Sequence, residues 1–235
     1  MADKQDGALR SIGKKPWFSS IIIFAIVFIG MSVLSPNTFL TLNNITNVLR
    51  QGSVYAIMAV GMTFAIMIGG IDLSQGSVLA VVGVVVGMIM KEGQGNMYVA
   101  MIAGLAVGAA IGLLNGVIIG YLDAPAFIAT LGTMYGMRGV ALILTDAAPV
   151  GAEYAPFRVL GTGYLFGIPL PVYLVALVAI AGQFILTKTA IGRYILAVGS
   201  NAEASQLSGI NVRKVKVVAH VYSSVAVAIA AIMYL

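Results

Sequence analysis

Between Gly52 and Met90 the chain runs thirty-nine residues with a single charged side chain, Asp72. A bilayer core of about 30 Å is crossed by roughly 20 apolar residues rising 1.5 Å each. The run is therefore too long for one crossing and long enough for two. Gly69-Gly70-Ile71-Asp72-Leu73-Ser74 interrupts it, which predicts spans over about 52–70 and 75–90. The same measure predicts spans at 17–34, about 97–121, 125–144 and 169–186, and a last one from near Val215 to Leu235. Residues 36–50 (PNTFLTLNNITNVLR) are too polar to span and are expected to lie at the surface.

Composition agrees with that pattern. Only 9% of the residues are charged, against about 25% in soluble domains, whose surfaces must face water. The expected fold class is all-α: a polytopic helical membrane protein with six complete transmembrane helices and a seventh at the C-terminus. Nothing caps that seventh helix after Met233-Tyr234-Leu235, so the natural protein is expected to continue. Residues 1–16 read as a basic tail and 17–235 as one transmembrane domain.

Lysine and arginine set the orientation. Lys4, Arg10, Lys14 and Lys15 precede the first span; Lys188, Arg193, Arg213, Lys214 and Lys216 follow the sixth. Six crossings return both clusters to one side, which the excess of basic residues in inner loops makes cytoplasmic. The loop at 146–168 then lies outside, with Arg158 against Asp146 and Glu153. Basic residues grouped beside apolar runs also argue against a nucleic-acid partner. No small-residue cleavage pattern follows the first run as it would in a signal peptide.

The chain has no cysteine and one histidine, His220. Disulfides, thiolate metal sites and most histidine-based metal or catalytic sets are excluded. No catalytic residues and no metal are expected, and His220 reads as interfacial or packed between helices. A phosphate-binding loop is also missing: from Gly182 to Thr189 the chain carries Thr187 where the second glycine belongs. ATP hydrolysis, if it drives this protein, belongs to another polypeptide.

Three segments carry chemistry or assembly. Gly104, Gly108, Gly112, Gly116 and Gly120 recur every fourth residue. Each step turns a helix through 400°, giving a slowly winding ridge on which a neighbouring backbone can pack closely. Asn115 beside it either bonds across helices or faces a pathway. A carboxylate at membrane depth costs about 2.5–3.5 kcal/mol, and two readings of Asp72 offset this. Asp72 or Ser74 caps the following helix, or the break lines a polar cavity. Third, Ser200 and Glu203 have capping-box spacing, Ala202 to Ser208 suits a short helix, and Gly209 fits its left-handed end. A short helix so defined, outside the membrane, reads as a docking element for a cytoplasmic partner; the alternative is an interfacial helix resting on lipid.

Gly70-Ile71-Asp72-Leu73-Ser74 with Gly76-Ser77, Leu114-Asn115-Gly116, Pro125 to Gly132, Arg138-Gly139, Gly192-Arg193-Tyr194, Ala197 to Ala204 and Leu207 to Val212 together resemble the ribose-type ABC transporter permeases. The resemblance implies a multi-helix permease that imports a monosaccharide across a bacterial inner membrane. It implies a second permease copy, two cytoplasmic ATPase subunits and a periplasmic sugar-binding protein as partners. This chain would bind no cofactor, the ATP and magnesium sitting on the ATPase. Residues 188–214 are then similar to the coupling region, with Gly199, Ser200, Asn201, Glu203, Ala204, Ser208 and Gly209 as its contacts. Asp72, Ser74, Asn115 and Thr130 are candidates for the translocation path. Gln75 is a departure, since many members of that family carry valine there. The rival reading is an ion-coupled secondary transporter using Asp72.

Overall fold

A computed structural model describes residues 16–90, 95–151 and 155–235. The basic tail with Lys4, Arg10, Lys14 and Lys15, and Glu153 in the 146–168 loop, lie outside the described residues. The chain divides into two compact units, one up to Val48 and one from Leu49.

The first unit holds α1 (Pro16–Leu34), the single turn α2 (Pro36–Phe39) and the start of α3 (Leu42–Met67). From Ile21 to Leu34 the large apolar side chains of α1 are exposed, as a lipid-facing span requires. Phe28 stacks edge-on against Phe39 at 5.3 Å, folding α2 onto α1.

The α3 helix begins ten residues before the predicted span, inside the segment expected to lie at the surface. Hydropathy locates the bilayer, whereas a helix begins where its first N–H groups find acceptors. Here Thr41 Oγ1 accepts from the Asn44 N–H, and Thr46 returns its hydroxyl to the Asn43 carbonyl.

The second unit continues α3 and adds α4 (Gln75–Met90), α5 (Met97–Tyr121), α6 (Ala126–Thr145) and α7 (Ala155–Thr162). A two-residue hairpin follows, β1 (Tyr164–Leu165) and β2 (Ile168–Pro169), then α8 (Leu170–Lys188), α9 (Ala190–Ser200), α10 (Ala202–Leu207) and α11 (Val212–Tyr234). Five helices among the described residues, α3, α5, α6, α8 and α11, are long and apolar enough to cross a membrane; the apolar runs Phe18–Leu34 of α1 and Gln75–Met90 of α4 are shorter. The protein is a polytopic helical membrane protein.

The α11 helix is the centre of this unit. Of its most apolar stretch 61% is buried, against 17–39% for the other four long helices. All three apolar clusters use it: Val227 and Ala231 with α4 and α5, Val215 and Ala219 with α8 and α9, Ala230 and Met233 with α3. The five glycines of α5 lie along it. A Cβ on Gly116 would stand 2.5 Å from the Val217 Cα, and one on Gly108 2.6 Å from the Ala228 Cβ. Backbones this close gain dispersion contacts that no side chain leaves room for. At one end of the unit Gly87 abuts Val150, Gly161 abuts the Met233 carbonyl, and Arg50 donates to the Thr162 carbonyl while lying over the Tyr164 ring. At the other end stand Asp123 and residues 202–216.

Candidate functional site

The interruption between α3 and α4 is built by its residue types. Gly69 takes φ +77°, a conformation that costs other residues a Cβ clash. Its N–H donates to the Ile66 carbonyl and that of Gly70 to the Ala65 carbonyl, the paired bonds of a Schellman helix end. The next helix starts after Ser74, whose carbonyl accepts from the N–H groups of Ser77 and Val78.

Asp72 lies between these ends, 1% exposed. Its Oδ1 accepts from the Ser74 N–H at 3.0 Å and the Ser74 hydroxyl at 2.6 Å; its Oδ2 accepts from the Ser223 hydroxyl at 3.0 Å. Each hydroxyl is fed in turn by an amide nitrogen, which can only donate: Asn115 Nδ2 donates to Ser74 Oγ, and Gln75 Nε2 to Ser223 Oγ. Thr133 donates to Asn115 Oδ1 at 2.6 Å. The Ser74 and Ser223 donors thus end on Asp72, whose two carboxyl oxygens accept from them. Hydrogen bonds to a charged group contribute about 1.5–3 kcal/mol each. Three of them suffice to offset a membrane cost of about 2.5–3.5 kcal/mol.

Both readings of the break meet in this geometry. Asp72 holds the last N–H before α4, and it also joins α4 to α11 through Ser223 and, by way of Ser74, to α5 through Asn115. Thr130 stands beside the cluster, accepting from the Leu73 N–H and sharing its hydroxyl between the Ile71 and Ala126 carbonyls. Asp72, Ser74, Asn115 and Thr130 are therefore brought together, buried and hydrogen-bonded. Gln75, Thr133 and Ser223 complete the cluster and were not singled out by sequence reasoning as members of it. A usable signal for Ser223 exists: His220, Ser223, Ser224 and Val227 share one face of a helix. Asn115 lies six residues from the end of α5 at Tyr121, about 9 Å at 1.5 Å per residue. The cluster is thus nearer the end that carries residues 202–216.

At that end residues 188–214 contain more helix than expected. The α9 helix precedes the expected short one; Thr189 Oγ1 starts it by accepting from the Gly192 N–H. It buries Gly192, Ile195 and Val198, and Gly199 sits directly against the Met67 carbonyl at the end of α3.

The capping box of Ser200 and Glu203 does not form. Ser200 is the last residue of α9, and Asn201 caps α10 with Oδ1 accepting from the Ala204 N–H at 2.9 Å. Asparagine so placed holds an N-terminus as well as serine does. Gly209 closes α10 at φ +83°, with Gly209 donating to the Gln206 carbonyl and Ile210 to that of Ser205. Ser200, Asn201, Glu203, Ala204, Ser208 and Gly209 are exposed, as is Leu207 at 86%, an apolar side chain the sequence reading passed over. A cleft of about 660 Å³ runs between α10, the 209–212 turn and Asp123, with Glu203, Gln206, Arg213 and Lys216 in its walls.

The family described as branched-chain amino acid transport system / permease component matches residues 44–235. The chain belongs to this permease family. Among its relatives is the ribose import permease protein of Escherichia coli (strain K12), 44% identical over 213 residues, covering 88% of this chain and 66% of the relative. The D-allose transport system permease protein of the same strain is 36% identical over 216 residues, 92% of this chain and 66% of the relative. The L-arabinose transport system permease protein there is also 36% identical, over 92% of this chain and 65% of the relative. The chain thus spans just under two thirds of the length of these permease relatives. No solved structure matches it.

Proposed function

We propose that the chain is the membrane-spanning subunit of an ATP-driven importer that carries a monosaccharide, ribose or a close relative, across a bacterial inner membrane. The observation that carries this is the alignment with a ribose import permease along 88% of the chain. The helices read as six complete crossings and a seventh in α11, with α1 and α4 counted despite their shorter lengths and the N-terminus cytoplasmic. Support for that orientation comes from the basic residues, with Lys4, Arg10, Lys14 and Lys15 before the first span and Lys188, Arg193, Arg213, Lys214 and Lys216 after the sixth. In this reading residues 17–235 act as one permease domain, preceded by the basic tail.

Residues 188–214 are the dock for the ATPase. Leu207 supplies an apolar anchor, the exposed polar face of α10 surrounds it, and the cleft receives the partner's edge. Motion there has two short routes to Asp72. One runs from Gly199 to Met67, two residues before the Gly69 bend; the other is α11, which starts at Val212 and reaches Asp72 through Ser223. Because Ser223 of α11 binds both Asp72 and Gln75, shifting α11 against α4 breaks these two bonds and opens a polar path along Asp72, Ser74, Asn115 and Thr130. ATP and magnesium sit on the ATPase and this chain binds no cofactor of its own. A second permease copy and a periplasmic sugar-binding protein complete the assembly.

The test is to co-purify the full-length protein with its ATPase after Leu207→Asp, Glu203→Arg and Gly209→Val. Loss of association, with the permease still folded, is expected for Leu207→Asp and Gly209→Val. Association and ATP-dependent uptake unchanged in all three refute the dock.

A further inference from the structure

Arg138 sits well inside a membrane span and touches nothing polar. The α6 helix runs 20 residues and is apolar enough to cross a bilayer. From Arg138 it is about 18 Å back to Ala126 and about 10 Å on to Thr145, at 1.5 Å per residue. The Arg138 side chain is exposed and makes no hydrogen bond or ion pair among the described residues. A guanidinium is always charged, and a charge at such depth is costly unless it meets protein polar groups or a water-filled cavity. Snorkelling to lipid head groups serves cations near helix ends, and about two helical turns separate Arg138 from the end of α6.

The face around it is polar at its middle. Ile128, Gly132, Tyr135, Gly139 and Leu142 follow one another at steps of four and three, which makes one stripe of the helix. Arg138 adjoins that stripe, one turn from both Tyr135 and Leu142. Tyr135 is 66% exposed, and its hydroxyl, also without a partner among the described residues, both donates and accepts. A Cβ added at Gly132, Gly136 or Gly139 would meet no atom within 4 Å. These glycines hold no neighbouring backbone, unlike those of α5; they leave open space beside Tyr135 and Arg138. The other side of α6 is occupied, with Thr130 and Thr133 bonded to the Ile71 carbonyl and to Asn115.

Three surroundings are open to such a face. Lipid chains leave the charge unmatched. A dry contact with the same face of a second copy, across a twofold axis along the membrane normal, sets two Arg138 side chains at one depth and offers them only tyrosine hydroxyls. Water satisfies all five donors of the guanidinium. We infer that this face of α6 lines an aqueous route through the membrane, in which Arg138 and Tyr135 hydrogen-bond the hydroxyl groups of the passing solute. Along α6 Arg138 stands about 12 Å from Thr130, so the solute meets Arg138 and the Asp72 cluster at separate depths. The aqueous face stands on the geometry of α6 alone; the solute contact rests on the importer reading above.

The experiment uses the full-length permease. These 235 residues contain no cysteine, so with any others replaced a single introduced thiol reports its own position. Tyr135→Cys and Leu142→Cys are reacted in membrane vesicles with a charged, membrane-impermeant thiosulfonate. Ile180→Cys serves as the lipid-facing reference, 69% exposed on α8. The thiolate is the reacting form and needs water, so both α6 thiols are expected to react about 10-fold faster than the reference, or more. Rates equal to that of Ile180→Cys overturn the aqueous face. For the solute contact, Arg138→Met and Arg138→Lys are compared by ribose uptake with the ATPase and binding protein present, and by thermal unfolding. Arg138→Met is expected to lower uptake about 10-fold, the worth of one hydrogen bond to a charged group. Its unfolding midpoint is expected to stay in place, and Arg138→Lys, which keeps a charged donor, to recover part of the uptake. Unchanged uptake in Arg138→Met overturns the solute contact, and so does a loss of uptake that comes with a lowered midpoint. Wild-type protein that takes up no ribose defeats the importer reading alone, and the labelling still decides the aqueous face.

Discussion

The helix ends at Gly69 and Gly209 are built from the same parts and stand in opposite surroundings. Each helix closes on a left-handed glycine, φ +77° and +83°, with paired bonds back to the last turn. Each next helix is prepared by an Asp or Asn that accepts a nearby backbone N–H: Asp72 from Ser74, Asn211 from Lys214. The carboxyl of Asp72 is buried and gathers hydroxyls from two helices, whereas Asn211 and its turn are exposed to solvent. One backbone device thus makes a cross-helix polar lock within the bundle and a docking corner outside it. Local sequence decides where the chain turns; what surrounds the turn decides its role.

The largest effect that sharpens this contrast is at Asp72. Asp72→Ala removes three bonds to a charge and leaves the Ser74 and Ser223 hydroxyls without their acceptor. It is expected to cost on the order of 3 kcal/mol, read by unfolding of the purified protein. Asp72→Asn keeps an oxygen for the two Ser74 donors and is expected to cost about 1 kcal/mol. Equal losses would mean that the charge, not the network, holds the break.

Next come the glycines themselves. An added Cβ meets no atom within 4 Å at Gly69 or Gly209, so alanine at either pays only the left-handed backbone cost, about 1–2 kcal/mol. Gly69→Ala is expected to lower the unfolding midpoint of the protein. Gly209→Ala is expected to lower that midpoint less, because the exposed α10 can fray locally without unfolding the bundle, and to weaken ATPase binding. A matching midpoint drop in both breaks the comparison.

The smallest effect separates two caps one residue apart. Asn201→Ala is expected to destabilise α10 locally by about 1 kcal/mol, and Ser200→Ala to change it by only a few tenths, read by amide exchange over 202–207. The reverse order would restore the capping box.

The sequence makes most spans legible because uncharged runs can only sit in lipid, and it makes Gly69 and Gly209 legible because few residues accept positive φ. Its errors have physical causes. The start of α3 lies ten residues early because helix formation does not stop where hydropathy does. The α9 helix escapes because its buried residues, Gly192, Ile195 and Val198, are interleaved with exposed Arg193 and Tyr194. The pairing of Asp72 with Ser223 spans 151 residues, a distance no local pattern bridges. The central place of α11 was hidden by its position at the end of the chain, although the small residues Ser223, Ser224, Ala226, Ala228, Ala230 and Ala231 suit a helix packed on all sides.

The most direct test of the central claim is ribose uptake by the full-length protein reconstituted with its ATPase and sugar-binding protein, with all ion gradients collapsed. The permease account expects uptake that requires ATP and the ATPase and continues without a gradient. Uptake that proceeds without the ATPase and stops when the gradient is removed would contradict it and favour ion coupling through Asp72.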